Sequence, residues 1–249
     1  MEELVATNVA ALVKLPPIRS RKGKSWSSEE ARAFLEASRD EDDYLYAAYV
    51  LVLVLGIRKG EVLGLTWEHI NWDGRQKPCT THGEKFCEHC RDNHDISLVI
   101  DKQLQRVRGQ LLHRATKTEE SDAPLPLPAI CIAALRHRHQ QQQAAREKAG
   151  DAWHDTGMIF TSRYGLPVEP RNFNRSYDSR IARAGIRKIT VHDARRTCGS
   201  LLVDLDVHPR IAMAILRHAD FSITMEIYSQ VSSKSTREAL RRLGESLDQ

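Results

Sequence analysis

Tyr228 closes a run of arginines and histidines: HDARRT contributes His192 and Arg195, LRHAD contributes His218, and IYSQV carries the tyrosine itself. Guanidiniums grip phosphate oxygens, imidazoles move protons, and a phenol attacks once its own proton has been taken. Together these groups suffice for phosphoryl transfer without a metal. A tyrosine with an ordinary pKa is almost wholly neutral at pH 7, so the set needs a base near Tyr228.

The elements that must position these groups are mostly helical. Ser27 and Glu30 make a capping box, and Ala31, Phe34 and Leu35 share a helical face, so a domain is expected to start near Trp26. Tyr44 to Leu55 reads as a buried helix with Gly56 as its stop; Arg58 and Glu61 then share a face of a short helix continued by Val62, Leu63 and Leu65. From Ile96 the pattern changes. The alternation in ISLVID, the segment around a turn at Arg108 and Gly109, and APLPL predict one small antiparallel sheet. Helical patterns return at 128–149, 170–184 and 192–205, with a short strand at 158–161 and three shorter helices at the end. The Gln140 to Gln143 tract reads as a solvated helix face. The expected fold class is mainly α with a small antiparallel β-sheet (α+β).

From about Trp26 to about Leu243, the order of these pieces resembles the catalytic domain of the tyrosine recombinases, the phage integrase family. LGIRKGEVLGL resembles the family's first arginine box, which makes Arg58 a phosphate-binding arginine and Glu61 its companion acid. RATKTEESDAPLPLP resembles the β-hairpin lysine motif, so Lys117 corresponds to the catalytic lysine; Lys102 also lies near the proposed sheet. TVHDARRT matches the HxxR box with His192 and Arg195, LRHAD supplies His218, and MEIYSQV matches the nucleophile segment with Tyr228. Two positions depart from the common pattern. Ala194 replaces a frequent leucine, and Arg217 replaces a frequent glycine before the second histidine; Arg217 reads as a surface charge, with a phosphate contact as the alternative.

The resemblance implies attack by Tyr228 on DNA to give a 3′-phosphotyrosyl intermediate and a free 5′-hydroxyl. A partner strand's hydroxyl then reverses the step. Arg58 and Arg195 would hold the non-bridging oxygens, Lys117 would protonate the leaving oxygen, and His218 would donate to the phosphate. His192 is the base on family grounds, with a water as the alternative, and Glu61 would orient Arg58 or His192. Bond energy is conserved, so no ATP is needed, and the chain has no GxxxxGK[ST] loop. The implied partners are double-stranded DNA attachment sites and further copies of the chain in a homotetramer on DNA. Residues 1–25 would be the last helix and basic linker of a core-binding domain, and 26–249 the catalytic domain. The stripe Ala239, Leu240, Leu243, Leu247 on a helix at 236–247 would dock on a neighbouring protomer, or equally on its own core.

An insert at 74–95 stands outside this pattern. Its CTTHGEKFCEHC places Cys79, His82, Cys87 and Cys90 in CxxH and CxxC pairs that can close a tetrahedral structural zinc site, with His89 and His94 as alternative ligands. A polar loop with chance cysteines is the plain alternative. Cys131 and Cys198 fall in helical patterns and read as core residues.

Composition bounds the rest. A chain of 249 residues with 41% hydrophobic and 28% charged residues is ordinary for a soluble globular protein, and a net charge of +4 leaves phosphate binding to local clusters. The longest apolar run, Ala47 to Ile57, is too short to span a bilayer and the acidic start does not resemble a signal peptide, so the cytoplasm is the expected location. Two rival functions remain. A type IB topoisomerase-like enzyme would use similar residues to relax supercoils alone, which a plasmid-relaxation assay distinguishes. A truncated, recombination-incompetent DNA-binding module would bind without cutting.

Overall fold

The computed structural model describes residues 24–72, 96–115, 124–217 and 221–228, together with Arg241. Helix α1 (Ser28–Asp40) starts at the expected capping box: Ser27 N–H donates to Glu30 Oε2 at 2.9 Å and Glu30 N–H to Ser27 Oγ at 3.2 Å. Just before it, buried Trp26 is tied to the far half of the chain. Its backbone N–H donates to Thr197 Oγ1 at 3.0 Å and its indole N–H to the Arg187 carbonyl at 2.7 Å.

Helix α2 (Tyr46–Leu55) is apolar nearly all round, so it cannot lie on a surface and becomes the central helix. It packs on α4 (Ala129–Ala149) and α6 (Val191–Asp204). Trp26, Phe34 and Tyr49 meet Tyr177 at ring centroid distances of 5.2–6.0 Å, joining α1 and α2 to α5 (Pro170–Ala184). Cys131 and Cys198 are buried, as core residues should be, and burial pushes each thiol up to about 12.

Where one sheet was expected there are two. The Arg108–Gly109 turn is present, both residues having positive φ (48° and 81°), and it joins β3 (Lys102–Val107) to β4 (Gln110–Ala115) as a separate hairpin. The other sheet has the order β1-β2-β5, from β1 (Ile70–Asn71), β2 (Ser97–Leu98) and β5 (Leu125–Pro126). Of ISLVID only Ser97 and Leu98 are strand: the backbone leaves β2 at Val99, whose N–H donates to the His69 carbonyl, and β3 begins after the segment at Lys102.

Two further expectations are corrected. Residues 158–161 form isolated bridges, Thr66 with Met158 and Thr161 with Pro167, and not a strand. The glutamine tract is not wholly solvated: Gln142 is buried, and its amide donates to the Met158 carbonyl at 2.8 Å and to Thr161 Oγ1 at 2.9 Å. Those bonds, with Arg138 Nε donating to the Ile159 carbonyl at 2.9 Å, satisfy the backbone groups that a regular strand would have paired. The last described elements are α7 (Pro209–Leu216) and α8 (Phe221–Tyr228).

Candidate active site

Arg58 owes its position to two helix ends. Helix α2 stops at Gly56 in the left-handed region (φ 60°), and a Cβ there would lie 2.5 Å from Leu216 Cδ2. Two residues later Arg58 is the N-cap of α3 (Lys59–Leu63), with Glu61 in the first turn. Glu61 is buried and accepts from Arg58 twice, from the backbone N–H at 2.9 Å and from Nη1 at 2.9 Å. The guanidinium of Arg58 itself stays half exposed (46%) and available to a ligand.

Arg195 arrives from α6. The helix begins at a second capping box, Thr190 with Asp193 (3.1 Å each way), which sets His192 in the first turn and Arg195 one turn on. Arg195 is buried and donates to the carbonyls of Gly56 and Leu216, spanning the ends of α2 and α7. Burial, then the neighbouring Arg58, pulls its guanidinium down to about 10, still charged at neutral pH.

Arg58, His192 and Arg195 all line one cleft of about 430 Å³ between α3, α5 and α6. Lys59, Lys188 and Asn174 line it too, and sequence reasoning had not selected them. Lys59 is half-buried with its ammonium 3.2 Å from Asn174 Oδ1, and Lys188 pairs with Asp178 at 2.6 Å. The one available signal was adjacency, since Lys59 directly follows Arg58. Four cations against Asp178 make the cleft a site for an anion.

Tyr228, at the end of α8, is half-buried and does not line the cleft. Its hydroxyl donates to the Val207 carbonyl in the α6–α7 connection, and partial burial raises its pKa. Arg217 is no surface charge: it ends α7 in the left-handed region (φ 50°), is 4% exposed, and ion-pairs through Nη2 with Glu61 Oε2. Lys117, His218, the four candidate zinc ligands Cys79, His82, Cys87 and Cys90, and all of the helix expected at 236–247 except Arg241 lie outside the described residues.

The hairpin that leads toward Lys117 is nonetheless anchored to the arginine helix. A Cβ on Gly64 would sit 2.9 Å from the backbone of Gln103 and Leu104, and one on Gly60 3.2 Å from the Leu104 carbonyl, so α3 lies directly against β3. From β4, His113 Nε2 donates to the Gly64 carbonyl at 2.8 Å.

The sequence model described as "Phage integrase family" matches residues 24–235. This chain belongs to the phage integrase family. It is 24% identical over 259 residues to an integrase of Saccharopolyspora erythraea, covering 89% of this chain and 57% of that relative. It is also 24% identical over 225 residues to a tyrosine recombinase XerC-like protein of Caldanaerobacter subterraneus, covering 89% of this chain and 54% of the relative. The chain therefore spans little more than half the length of these family members. Among solved structures, the Tn1549 transposon integrase in complex with transposon right-end DNA superposes with a TM-score of 0.69 at 16% identity, covering 96% of this chain and 71% of that one. The shared fold is mainly helical with small antiparallel sheets, as expected.

Proposed function

We propose that residues 26–249 form the catalytic domain of a site-specific tyrosine recombinase that cuts and rejoins DNA at attachment sites. The observation that carries this reading is the meeting of Arg58, His192 and Arg195 in one positively lined cleft, although Arg58 and Arg195 are far apart in sequence. Two fixed guanidiniums suit the charge that gathers on the non-bridging oxygens of a five-coordinate phosphate.

In the proposed step the Tyr228 oxygen bonds to phosphorus as the bond from phosphorus to the 5′-oxygen breaks. The phenolic proton passes to His192 or a water, and the departing oxygen takes a proton from Lys117. His218 donates to the phosphate, and Glu61 holds Arg58. A strand-exchange hydroxyl then attacks the phosphotyrosine, restoring the phosphodiester and the free phenol. Because the Tyr228 hydroxyl is bonded to Val207, the bond must break before attack.

The reading also includes a homotetramer on DNA and action in the cytoplasm; no described helix is long and apolar enough to cross a membrane. Exposed Leu205 (73%) and Ile211 (55%), flanking the α6–α7 connection, are apolar surface that such an assembly would cover. For the insert, Cys79, His82, Cys87 and Cys90 are proposed to hold one structural zinc that braces the loop between β1 and β2. Purified protein prepared without chelator should then contain about one zinc per chain, and metal analysis finding none overturns that assignment.

The central test is a nicked suicide duplex carrying the attachment site. A covalent protein–DNA adduct is expected from the native chain and none from Tyr228→Phe. An adduct that survives in the variant would refute the nucleophile.

A further inference from the structure

Arg217 stands where the resemblance leads one to expect glycine, yet its side chain is nearly as hidden as Arg195 and far more hidden than Arg58. Its side chain is 4% exposed, against 46% for Arg58. Only Nη2 is bonded, to Glu61; Nε and Nη1 are buried with no hydrogen-bond partner among the described residues. Burying a guanidinium so incompletely satisfied is a poor way to stabilise a fold, because a desolvated charge is costly unless its donors are paired. Its place in the structure therefore calls for another account.

The geometry supplies one. Glu61 uses its two oxygens on two arginines: Oε1 accepts from Arg58 Nη1 at 2.9 Å, while Oε2 takes the Arg58 backbone N–H at 2.9 Å and the Arg217 side chain. The Arg217 carbonyl in turn lies 3.5 Å from Arg58 Nη2 and can accept from it. Arg217 thus grips Arg58 from both sides, directly through its backbone and indirectly through Glu61. The preceding residue matters as well, since the Leu216 carbonyl accepts from Arg195.

We infer that Arg217 is a positioning residue for the phosphate-binding pair: through Glu61 and its own carbonyl it fixes Arg58 toward the cleft, and through the end of α7 it registers Arg58 against Arg195. The inference rests on the recombinase reading of the cleft. It also explains the charge balance. Arg58, Arg195 and Arg217 surround the single carboxylate of Glu61, leaving excess positive charge that an incoming phosphodiester would neutralise.

The groups facing Glu61 are Arg58 on its own element, Arg217 at the end of α7, and Arg195 on α6. Burial alone would raise the Glu61 carboxyl, but Arg217 and then Arg58 outweigh it and hold the carboxyl below its ordinary value. Removing Arg217 should therefore let Glu61 take up a proton at a higher pH.

Arg217→Gly is a clean variant, because glycine is at ease in the left-handed conformation that ends α7. On the nicked suicide duplex it should form adduct roughly ten- to a hundredfold more slowly, the scale of loss when a reacting geometry is loosened. The acid limb of its rate profile should move to higher pH, and Arg217→Lys should recover part of the rate. In a Glu61→Gln background the same change should cost less than about threefold, since a pair acting as a unit is non-additive. A normal rate with an unmoved acid limb, or an equal loss in both backgrounds, would overturn the inference.

The ion pair is also read without activity. Acidification should cost Arg217→Gly less thermal stability than it costs the native chain, because the folded-state pKa of Glu61 rises toward its unfolded value, and this difference should vanish with Glu61→Gln. If the native chain forms no adduct, the recombinase reading fails; an acid-side unfolding profile unmoved by Arg217→Gly overturns the Arg217 assignment in either case.

Discussion

Arg138 and Arg195 are almost twins by burial, at 3% and 5% exposure, and burial pulls both guanidiniums down to about 10. Both donate to backbone carbonyls where irregular chain segments meet a helix. Their surroundings differ. Arg138 reaches from α4 to Ile159 and Thr161 and lies over the Tyr44 ring at 5.7 Å from its centroid, with Gln142 completing the same loop anchor. Arg195 sits among like charges, beside Arg58 and Arg217, at an open cleft. Under the proposed function, burial of a cation is therefore not what distinguishes the reaction centre. What does is positive charge left in excess next to a space where an anion fits.

Substitutions can break that contrast. The largest effect is expected at Arg195: Arg195→Ala should lower adduct formation per folded molecule by roughly 10²–10³-fold, the scale for losing one preorganised charge-stabilising donor. Arg138→Met should instead lower stability by about 2–4 kcal/mol, by leaving carbonyls of the 158–161 segment unsatisfied. Its adduct rate per folded molecule, measured well below the unfolding temperature, should stay within about twofold of native, the margin for a site remote from the chemistry. If Arg138→Met silences the reaction while the protein remains folded, the distinction between anchor and reaction centre is wrong.

The smallest effect concerns pH. His69 is buried, accepts the Thr66 N–H on Nδ1 at 2.9 Å and lies with Nε2 2.7 Å from Asp101 Oδ1, an arrangement that requires the neutral ring. Burial lowers its pKa below 6.5 despite the opposing pull of Asp101. The folded state then binds fewer protons than the unfolded chain, so this contribution is complete above pH 6.5 and is lost as pH falls below it. Unfolding measured between pH 7 and 5 or so should show that loss, and His69→Gln should flatten it.

Features written in adjacent residues were legible in the sequence. Both ends of the capping box at Ser27, the hairpin turn at Arg108 and Gly109, the span of α5, and the shared helix end of Arg58 and Glu61 all rest on contacts a few residues apart. What escaped notice depends on distant partners. Arg217 looked like a surface charge because its carboxylate lies 156 positions away, and Gln142 looked solvated because the loop it satisfies belongs to another element. The 158–161 segment has the apolar character of a strand, but its pairing was already taken by side chains of α4. Local pattern reports what a segment can become; competition for hydrogen bonds decides what it does become.

Gly60 and Gly64 lead to a last consequence. With no side chain at either position, the arginine helix and the hairpin touch backbone to backbone, and nothing compressible lies between them. Under the proposed function, a push of DNA on the tip of the hairpin would be transmitted to Arg58 as a displacement of backbone against backbone, with no side chain at either glycine to absorb it. On that reading, substrate contact and alignment of the phosphate grip would be one mechanical event.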